Sequence, residues 1–300
     1  MKGRKIKIRH LDFSFVMIMG YLLVIISSLL FGILPSVQNK ALLNGASPFV
    51  VLVVCNLVCL FGNSMICFFR KIHLNISRTE LFLYLIAGIF GLYATDLFLN
   101  LAYTRLPVGM VTVIHFLYPI LVCLEGILFY RDRWNRNLLF AVVLSVGGLL
   151  LLSGSVFNID LIGIGFALIS ALAYSFNLTM ADRSPIGKHD VFQKNFYLFL
   201  VSFLMSAAVS MIRKETVSFQ MDQLPWLILG GIILMCGSLF LTKGIALLGS
   251  RDAAFISTLE PVSSFLFSTV IYHYSLNFRS ILGCVLIILS LIPIMVKEKS

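Results

Sequence analysis

Charged residues are scarce in this sequence. Of its 300 residues, 12% are Asp, Glu, Lys or Arg, whereas 59% are hydrophobic. A soluble domain has about 25% charged residues, and the mean hydropathy of +1.00 reflects more apolar surface than a globular interior can bury. Lipid must therefore be the solvent. At roughly 20 residues per membrane span, the length accommodates about ten spans and short loops, with no separate soluble domain.

Several motifs are also missing. There is no G-x-x-x-x-G-K-[ST] element, which argues against self-contained ATP hydrolysis, and the five histidines form no H-E-x-x-H motif. The six cysteines lie in apolar runs without the spacing of a metal site or a disulfide. We therefore expect no metal, no cofactor and no enzymatic activity. An intramembrane transferase acting on a lipid-linked substrate is the less favoured alternative.

Apolar runs bounded by charge, Pro or Asn/Gly clusters predict ten membrane helices, because hydrocarbon cannot satisfy free backbone groups. The runs fall at 14–34, 48–70, 79–103, 107–129, 137–154, 160–181, 193–213, 223–248, 252–273 and 280–296. The first run follows a basic segment but is too long for a signal peptide and lacks a cleavage site. We interpret it as the first span.

The basic residues test this map. The net charge is +10, and 18 of the 23 Lys and Arg residues fall on one side if the amino terminus is cytoplasmic. Because cytoplasmic loops carry such an excess, both termini are predicted to be cytoplasmic, in a multi-pass protein of the cell membrane, most simply a bacterial plasma membrane. The charge lies in short loops rather than on one folded face, so no nucleic-acid partner is expected.

An internal repeat appears when the sequence is shifted by 142 residues. Pro119 then aligns with Pro261, and the order of helix, turn and proline-containing helix is the same in both halves. The predicted repeats are 14–154 and 159–296. Five spans per repeat is an odd number, so the second half must cross the membrane in the opposite sense. Such inverted repeats are typical of secondary transporters.

Certain motifs make a resemblance specific. They are Gly45-Ala-Ser-Pro-Phe49, Leu106-Pro-Val-Gly109, Leu117-Tyr-Pro-Ile-Leu121, Ala171-Leu-Ala-Tyr-Ser175 and Leu259-Glu-Pro-Val262. With these motifs the chain resembles the EamA family of the drug/metabolite transporter superfamily over nearly its whole length. The resemblance implies ten helices, two cytoplasmic termini, and export or exchange of amino acids or other metabolites.

Polar residues within the predicted spans are candidates for a substrate pathway, because ionisable groups in a membrane face a cavity or a partner. Asp96 and Asn100 share one helix face in the third span. The fourth span carries His115, Tyr118 and Glu125 around Pro119. His115 is a possible proton shuttle or a structural histidine, and Glu125 is a pathway residue or an ion-pair partner of Arg131 or Arg133.

The second half supplies matching candidates. Tyr174 and Asn177 share a face of the sixth span, where packing is the alternative to substrate contact. Lys243 either extends to the interface or pairs with Asp96 or Glu260. Glu260 precedes Pro261, where the loosened turn allows cation binding, proton transfer or a local hydrogen bond.

These residues favour a secondary transporter of small metabolites that works by alternating access around a central cavity between the repeats. Its expected partners are a small-molecule substrate, protons and the lipid bilayer, in a monomer or a homodimer. A flippase for a lipid or lipid-linked sugar is the alternative.

Overall fold

The computed structural model describes residues 10–106, 108–132, 136–152, 160–214, 221–272 and 278–295. Regular structure in these ranges is helical. The α-helices are α1 (His10–Leu43), α2 (Pro48–Phe69), α3 (Arg78–Ile86), α4 (Ala94–Tyr103), α5 (Val108–His115), α6 (Tyr118–Tyr130), α7 (Arg136–Leu152), α8 (Leu161–Arg183), α9 (Val191–Ile212), α10 (Leu224–Leu248), α11 (Ser250–Ile256), α12 (Leu259–Tyr272) and α13 (Phe278–Met295). A π-helical segment, Ala87–Tyr93, joins α3 to α4, and a 3-10 turn, Pro185–Lys188, precedes α9.

Seven helical segments of the described chain are long and apolar enough to cross a membrane, and two shorter apolar helices accompany them. Large apolar side chains are exposed along the outside of the bundle, including Phe61 at 65% and Phe140 at 65%. Serine and asparagine side chains, by contrast, lie in the interior, such as Ser27 and Asn63 at 0%. This reversal of the pattern of soluble proteins identifies a multi-pass membrane protein.

The first helix is longer than the apolar run that predicts it, because it continues through Pro35 to Leu43. Its last two turns pack with α2 and α10, where the side chain of Ala41 is fully buried in a cluster with Val51 and Leu227. Tertiary packing therefore outweighs the missing hydrogen bond that a proline introduces into a helix.

Two spans are broken at corresponding positions of the repeat. Helix α5 ends at His115 and α6 begins at Tyr118, while α11 ends at Ile256 and α12 begins at Leu259. Pro119 and Pro261 follow the two breaks directly. A proline ring clashes with the carbonyl four residues before it, and here that carbonyl belongs to the residue at or just after the end of α5 or α11. Each break thus frees backbone groups deep inside the bundle.

Helix packing is the same when the two halves are exchanged. Helix α1 packs on α10 as α8 packs on α4 and the π segment; α1 packs on α12 as α8 packs on α6; and α2 packs on α10 as α9 packs on the π segment. The exchange turns α2 into α9 and α7 into α13, so the packed pairs α2–α9 and α7–α13 are each mapped onto themselves. The two halves of the chain therefore form similar units that interlock.

Two buried hydrogen bonds follow the same exchange. The Ser27 hydroxyl donates to the Gly237 carbonyl oxygen at 2.8 Å, and the Ser170 hydroxyl donates to the Thr95 carbonyl oxygen at 3.1 Å. Thr95 and Gly237 are related by the offset of 142 found in the sequence, and the two serines by one residue more. Each bond joins the first helix of one half to the third span of the other.

The first turn of α8 is held by a single carboxylate. Asp160 Oδ1 accepts hydrogen bonds from the backbone N–H groups of Ile162 (2.9 Å) and Gly163 (3.1 Å), and Oδ2 accepts from Arg105 Nη1 at 3.0 Å. The Gly163 N–H and the Arg105 guanidinium, which favour the charged form, lower the pKa of Asp160. This residue both caps α8 and links it to the turn between α4 and α5.

We expect Asp160→Ala to lower the Tm of the purified protein by at most a few degrees at pH 7, and Asp160→Asn to lower it less, because Asn still caps a helix. A lowered carboxyl pKa stabilises the fold above the unfolded-state pKa, near 3.9, and this advantage disappears as the pH falls through the folded-state value. The Tm difference between wild type and Asp160→Asn should therefore begin to shrink below about pH 4 and vanish only below the folded-state pKa. Equal Tm values for all three proteins at pH 7 would contradict the capping role.

Candidate functional site

Three aromatic side chains meet where α5 breaks into α6. The rings of Tyr118 and Tyr174 are nearly perpendicular, at 86°, with centroids 4.6 Å apart, and the His115 ring lies 5.6 Å and 5.5 Å from them. We call these three residues the aromatic corner. Tyr118 is fully buried, and His115 is 8% exposed. Tyr174 comes from α8, so the corner joins the two halves of the chain.

His115 is fixed by a hydrogen bond across the same interface. Its Nδ1 lies 3.0 Å from the hydroxyl of Ser170, which also donates to the Thr95 carbonyl oxygen at 3.1 Å. Because the serine has a single proton, the bond to His115 requires either a shared proton or a protonated Nδ1 that donates to the serine oxygen. Ser170 therefore determines the orientation of the imidazole next to both tyrosines.

Two carboxylates approach this corner from different helices. Asp96 comes from α4 and Glu260 from α12, and both are deeply enclosed by protein atoms although part of their surface stays accessible. The Glu260 carboxylate lies within electrostatic range of the Tyr118 and Tyr174 hydroxyls, and Asp96 lies within range of Tyr174. Side chains that are enclosed by protein atoms but keep some accessible surface are typical of the wall of an internal cavity.

The π-helical segment directly precedes Asp96. Its Gly91 lies so close to α8 that a Cβ atom there would be 2.9 Å from the Cβ of Asn177. A π turn inserts an extra residue and changes the direction in which the following side chains project. Asn100, one turn later, donates to the Asp96 backbone oxygen at 2.8 Å rather than to its carboxylate. Asn100 therefore supports the helix that carries Asp96.

The remaining candidates lie apart from this arrangement. One oxygen of Glu125 accepts a 2.6 Å hydrogen bond from the Ser175 hydroxyl, which joins α6 to α8. The Lys243 side chain is exposed, and within the described residues it forms no ion pair with Asp96 or Glu260. The sequence allowed Lys243 to pair with Asp96 or Glu260, but neither ion pair forms among the described residues.

Two buried acceptor atoms receive no hydrogen bond within the described residues. They are Oδ1 of Asn177, one turn after Tyr174 on α8, and Oε1 of Glu260. A buried unpaired polar group costs about 1–3 kcal/mol. Each of these acceptors is therefore suited to a polar ligand or to water. No three His, Cys, Asp or Glu side chains of the described chain could hold a metal ion.

Sequence reasoning alone did not predict that Ser170 would bond to His115 or that Ser175 would bond to Glu125. Ser170 directly precedes the motif Ala171-Leu-Ala-Tyr-Ser175 and Ser175 ends it, so their positions near Tyr174 were a usable signal. A hydroxyl on an apolar helix gives no sign of which neighbour it faces until the helix packing is known.

A second polar group lies where α8 ends. Asp132 accepts from Arg183 Nη2 at 2.9 Å, and Asp182 accepts from Arg183 Nε at 3.1 Å. Asp182 Oδ2 also accepts from the backbone N–H (2.8 Å) and hydroxyl (2.9 Å) of Ser250. These four residues, which we call the α8-end network, tie together the ends of α6 and α8 and the start of α11.

We expect Arg183→Ala to destabilise the protein more than Asp132→Ala does. Asp132→Ala removes one partly exposed ion pair, worth about 1 kcal/mol or less. Arg183→Ala removes two pairs and leaves the Asp132 and Asp182 carboxylates without a cation between them. Thermal unfolding of the two variants, with the double variant to complete the cycle, measures the difference. An equal or larger loss in Asp132→Ala would rule out Arg183 as the centre of this network.

The interlocked halves, the paired helix breaks and the carboxylates near the aromatic corner define a helical membrane protein with an internal repeat and a polar interior. The profile of the EamA-like transporter family matches the chain twice, at residues 18–154 and 161–296. The chain belongs to this family of membrane transporters, which confirms the resemblance found in the sequence.

A solved structure described as a crystal structure of a protein is similar in fold, with a TM-score of 0.79 and 17% sequence identity. The match covers 92% of this chain and 96% of the other. A comparison with curated proteins finds no match.

Proposed function

We propose that this protein is a proton-coupled secondary transporter that exports or exchanges a small metabolite by alternating access. In this proposal the chain crosses the membrane ten times, in two inverted five-span repeats with both termini in the cytoplasm. The substrate binds between the repeats, at the aromatic corner and the carboxylates of Asp96 and Glu260. The membrane is the cell membrane.

The observation that carries the proposal is the pair of broken spans. Breaks after His115 and after Ile256 lie at corresponding positions of the two halves. His115 at the first break is hydrogen-bonded to Ser170 of the other half, and Ser257 and Thr258 are buried at the second. Discontinuous helices at the interface of repeats are how secondary transporters bind substrates near the middle of the bilayer. Because similar halves can exchange their conformations, the same site can open to each side in turn.

Proton coupling is supported by the surroundings of the two acids. No described side chain donates a hydrogen bond to the carboxylate of Asp96 or Glu260, and no described Lys or Arg pairs with them. An unpaired carboxylate in a membrane interior is costly when charged. Each acid is therefore suited to hold a proton when no cation is bound and to release it when one arrives.

Reconstitution tests the function directly. Purified protein in liposomes should move a metabolite across the membrane without ATP, and an imposed pH gradient should drive accumulation. Empty liposomes and liposomes that contain heat-denatured protein are the controls. If no compound from a panel of amines, amino acids, nucleotide sugars and organic acids moves faster than in the controls, the proposed transport function is wrong.

A further inference from the structure

Two aromatic contacts fix how helices α2 and α9 are aligned. The Cζ atom of Arg70 lies 4.8 Å from the centroid of the Phe192 ring, and that of Arg213 lies 4.6 Å from the centroid of the Phe49 ring. Each arginine directly follows its helix, and each phenylalanine is the second residue of the other helix. The two helices are therefore antiparallel, and a shift of 143 residues exchanges the two contacts.

The face of α2 that contacts α9 carries two asparagines. An interval of seven residues joins Phe49, Asn56, Asn63 and Arg70. Seven residues make about two helical turns, so these four side chains project in nearly the same direction. Since the first and the last contact α9, both asparagines face α9 as well. They are 1% and 0% exposed.

The matching face of α9 carries hydroxyl groups. The same interval of seven residues joins Phe192, Phe199, Ser206 and Arg213, and Ser202 lies one turn before Ser206 on this face. Phe199, Ser202 and Ser206 are all buried. The polar side chains of α9 therefore face those of α2.

The antiparallel alignment gives the level of each side chain along the contact. Ser206 lies opposite Asn56, Phe199 lies opposite Asn63, and Ser202 lies between these two levels. We call the contact around these five side chains the α2–α9 seam. Because exchange of the halves maps this helix pair onto itself, the seam is a place where the two halves of the chain meet.

Three further polar atoms lack a hydrogen-bond partner among the described residues, and all three lie in the seam. They are Oδ1 of Asn56, Oδ1 of Asn63 and the hydroxyl of Ser202. The other polar groups bond within their own helices: Asn63 Nδ2 donates to the Cys59 carbonyl oxygen, and the Ser206 hydroxyl donates to that of Ser202, each at 2.8 Å. A buried polar atom without a partner is costly. Successive levels are about 5 Å apart along the helices, a separation that one water molecule can bridge.

From this arrangement we propose that bound water molecules occupy the α2–α9 seam and form hydrogen bonds with Asn56, Asn63 and Ser202. The seam is distinct from the aromatic corner, to which neither α2 nor α9 contributes. The two halves then meet at a hydrated surface. Under the proposed function they move against each other there, and water exchanges its hydrogen-bond partners more readily than a direct bond between side chains would.

Hydroxyl-radical footprinting by X-ray radiolysis tests the proposal on the wild-type chain in lipid nanodiscs, because radicals formed from bound water oxidise the side chains beside it. Cys59 and Phe199 border the seam, whereas Cys123 and Phe255 are equally buried in an apolar cluster. We expect each seam residue to be oxidised at least about threefold faster than the residue of the same type in the cluster. Equal rates in either pair would overturn the proposal.

Asn63→Leu distinguishes bound water from a direct bond between side chains. Leucine has a similar branched shape and should displace the water, so oxidation of Cys59 and Phe199 should fall to the rate of the apolar cluster. The Tm should stay unchanged or rise, because the replaced group has no protein partner. A lower Tm with an unchanged footprint would show a direct protein bond and refute the hydrated seam. Ser202→Ala deletes a hydroxyl alone and gives the same test if the larger change prevents folding.

Ser64→Ala is the matched control on the same helix. Its hydroxyl donates to the Leu60 carbonyl oxygen at 2.6 Å, within α2, so this variant should keep the wild-type footprint. Neither the footprint nor the Tm requires a transported compound. If the seam is dry but liposomes transport a metabolite, the hydrated seam is wrong and the transporter stands. If the seam is hydrated but no compound crosses the membrane, the seam stands and the transport function is wrong.

Discussion

Glu260→Gln is expected to abolish proton-driven accumulation of substrate. A gradient of two pH units supplies about 2.7 kcal/mol per proton, enough for roughly 100-fold accumulation when one proton is exchanged for one substrate molecule. Glutamine keeps the size and hydrogen-bonding atoms of the side chain but cannot take up or release a proton. We therefore expect the accumulation ratio in liposomes to fall to about one, with downhill exchange remaining measurable.

Asp96→Asn provides the second arm of this experiment. Asp96 lies on α4, after the π segment, and is within electrostatic range of Tyr174, as Glu260 is. Uptake is measured against pH for wild type, Glu260→Gln, Asp96→Asn and the surface control Asp222→Asn. The control should follow the wild-type profile. If both interior variants also follow it, proton coupling through these acids is wrong.

Gly32→Ala is expected to destabilise the protein by about 1–3 kcal/mol and to reduce transport strongly, because it overfills the contact between α1 and α12. A Cβ atom at position 32 would overlap the Ser263 hydroxyl and lie 2.8 Å from the backbone nitrogen of Ser264. The single hydroxyl proton of Ser263 is shared between the carbonyl oxygens of Ser28 (2.9 Å) and Glu260 (2.8 Å). Displacing Ser263 therefore disturbs the turn that carries Glu260.

A glycine-to-alanine change at an uncrowded helix position is the matched control. Gly165 lies in α8 with no heavy atom within 4 Å of an added Cβ, so Gly165→Ala should leave Tm unchanged or raise it slightly. Ser263→Gly in the Gly32→Ala background removes the colliding atoms of Ser263 and should restore part of the lost Tm, but not all, because the Ser264 backbone remains. Equal Tm values for Gly32→Ala and Gly165→Ala would contradict the close packing of α1 on α12.

Several features of the fold follow from local sequence signals. Apolar runs predict where the long helices lie, and the shift of 142 residues aligns the two prolines that follow the helix breaks. The apolar signals are local to each run. They predict helices because lipid offers no hydrogen-bond partners to the backbone. The two matches of the transporter family profile agree with an internal repeat.

Other features depend on contacts between distant residues. No sequence signal distinguishes the π segment at Ala87–Tyr93 from a regular helix, because its glycines also fit a regular helix. Lys194 lies at the expected membrane boundary in the sequence, but the structure buries its whole side chain at 1% exposure. Likewise, the bond of His115 to Ser170 depends on the rotation of α8 against α5. Helix rotation and depth arise from packing, which periodicity alone leaves undetermined.

The crossed hydrogen bonds Ser27–Gly237 and Ser170–Thr95 have a mechanical consequence under the proposed mechanism. Each ties the opening helix of one repeat to the third span of the other. A motion that preserves both bonds must carry α1 with α10 and α8 with α4. We therefore expect each moving body of the transport cycle to contain helices from both repeats. The division between the bodies would then differ from the division between the repeats in the sequence.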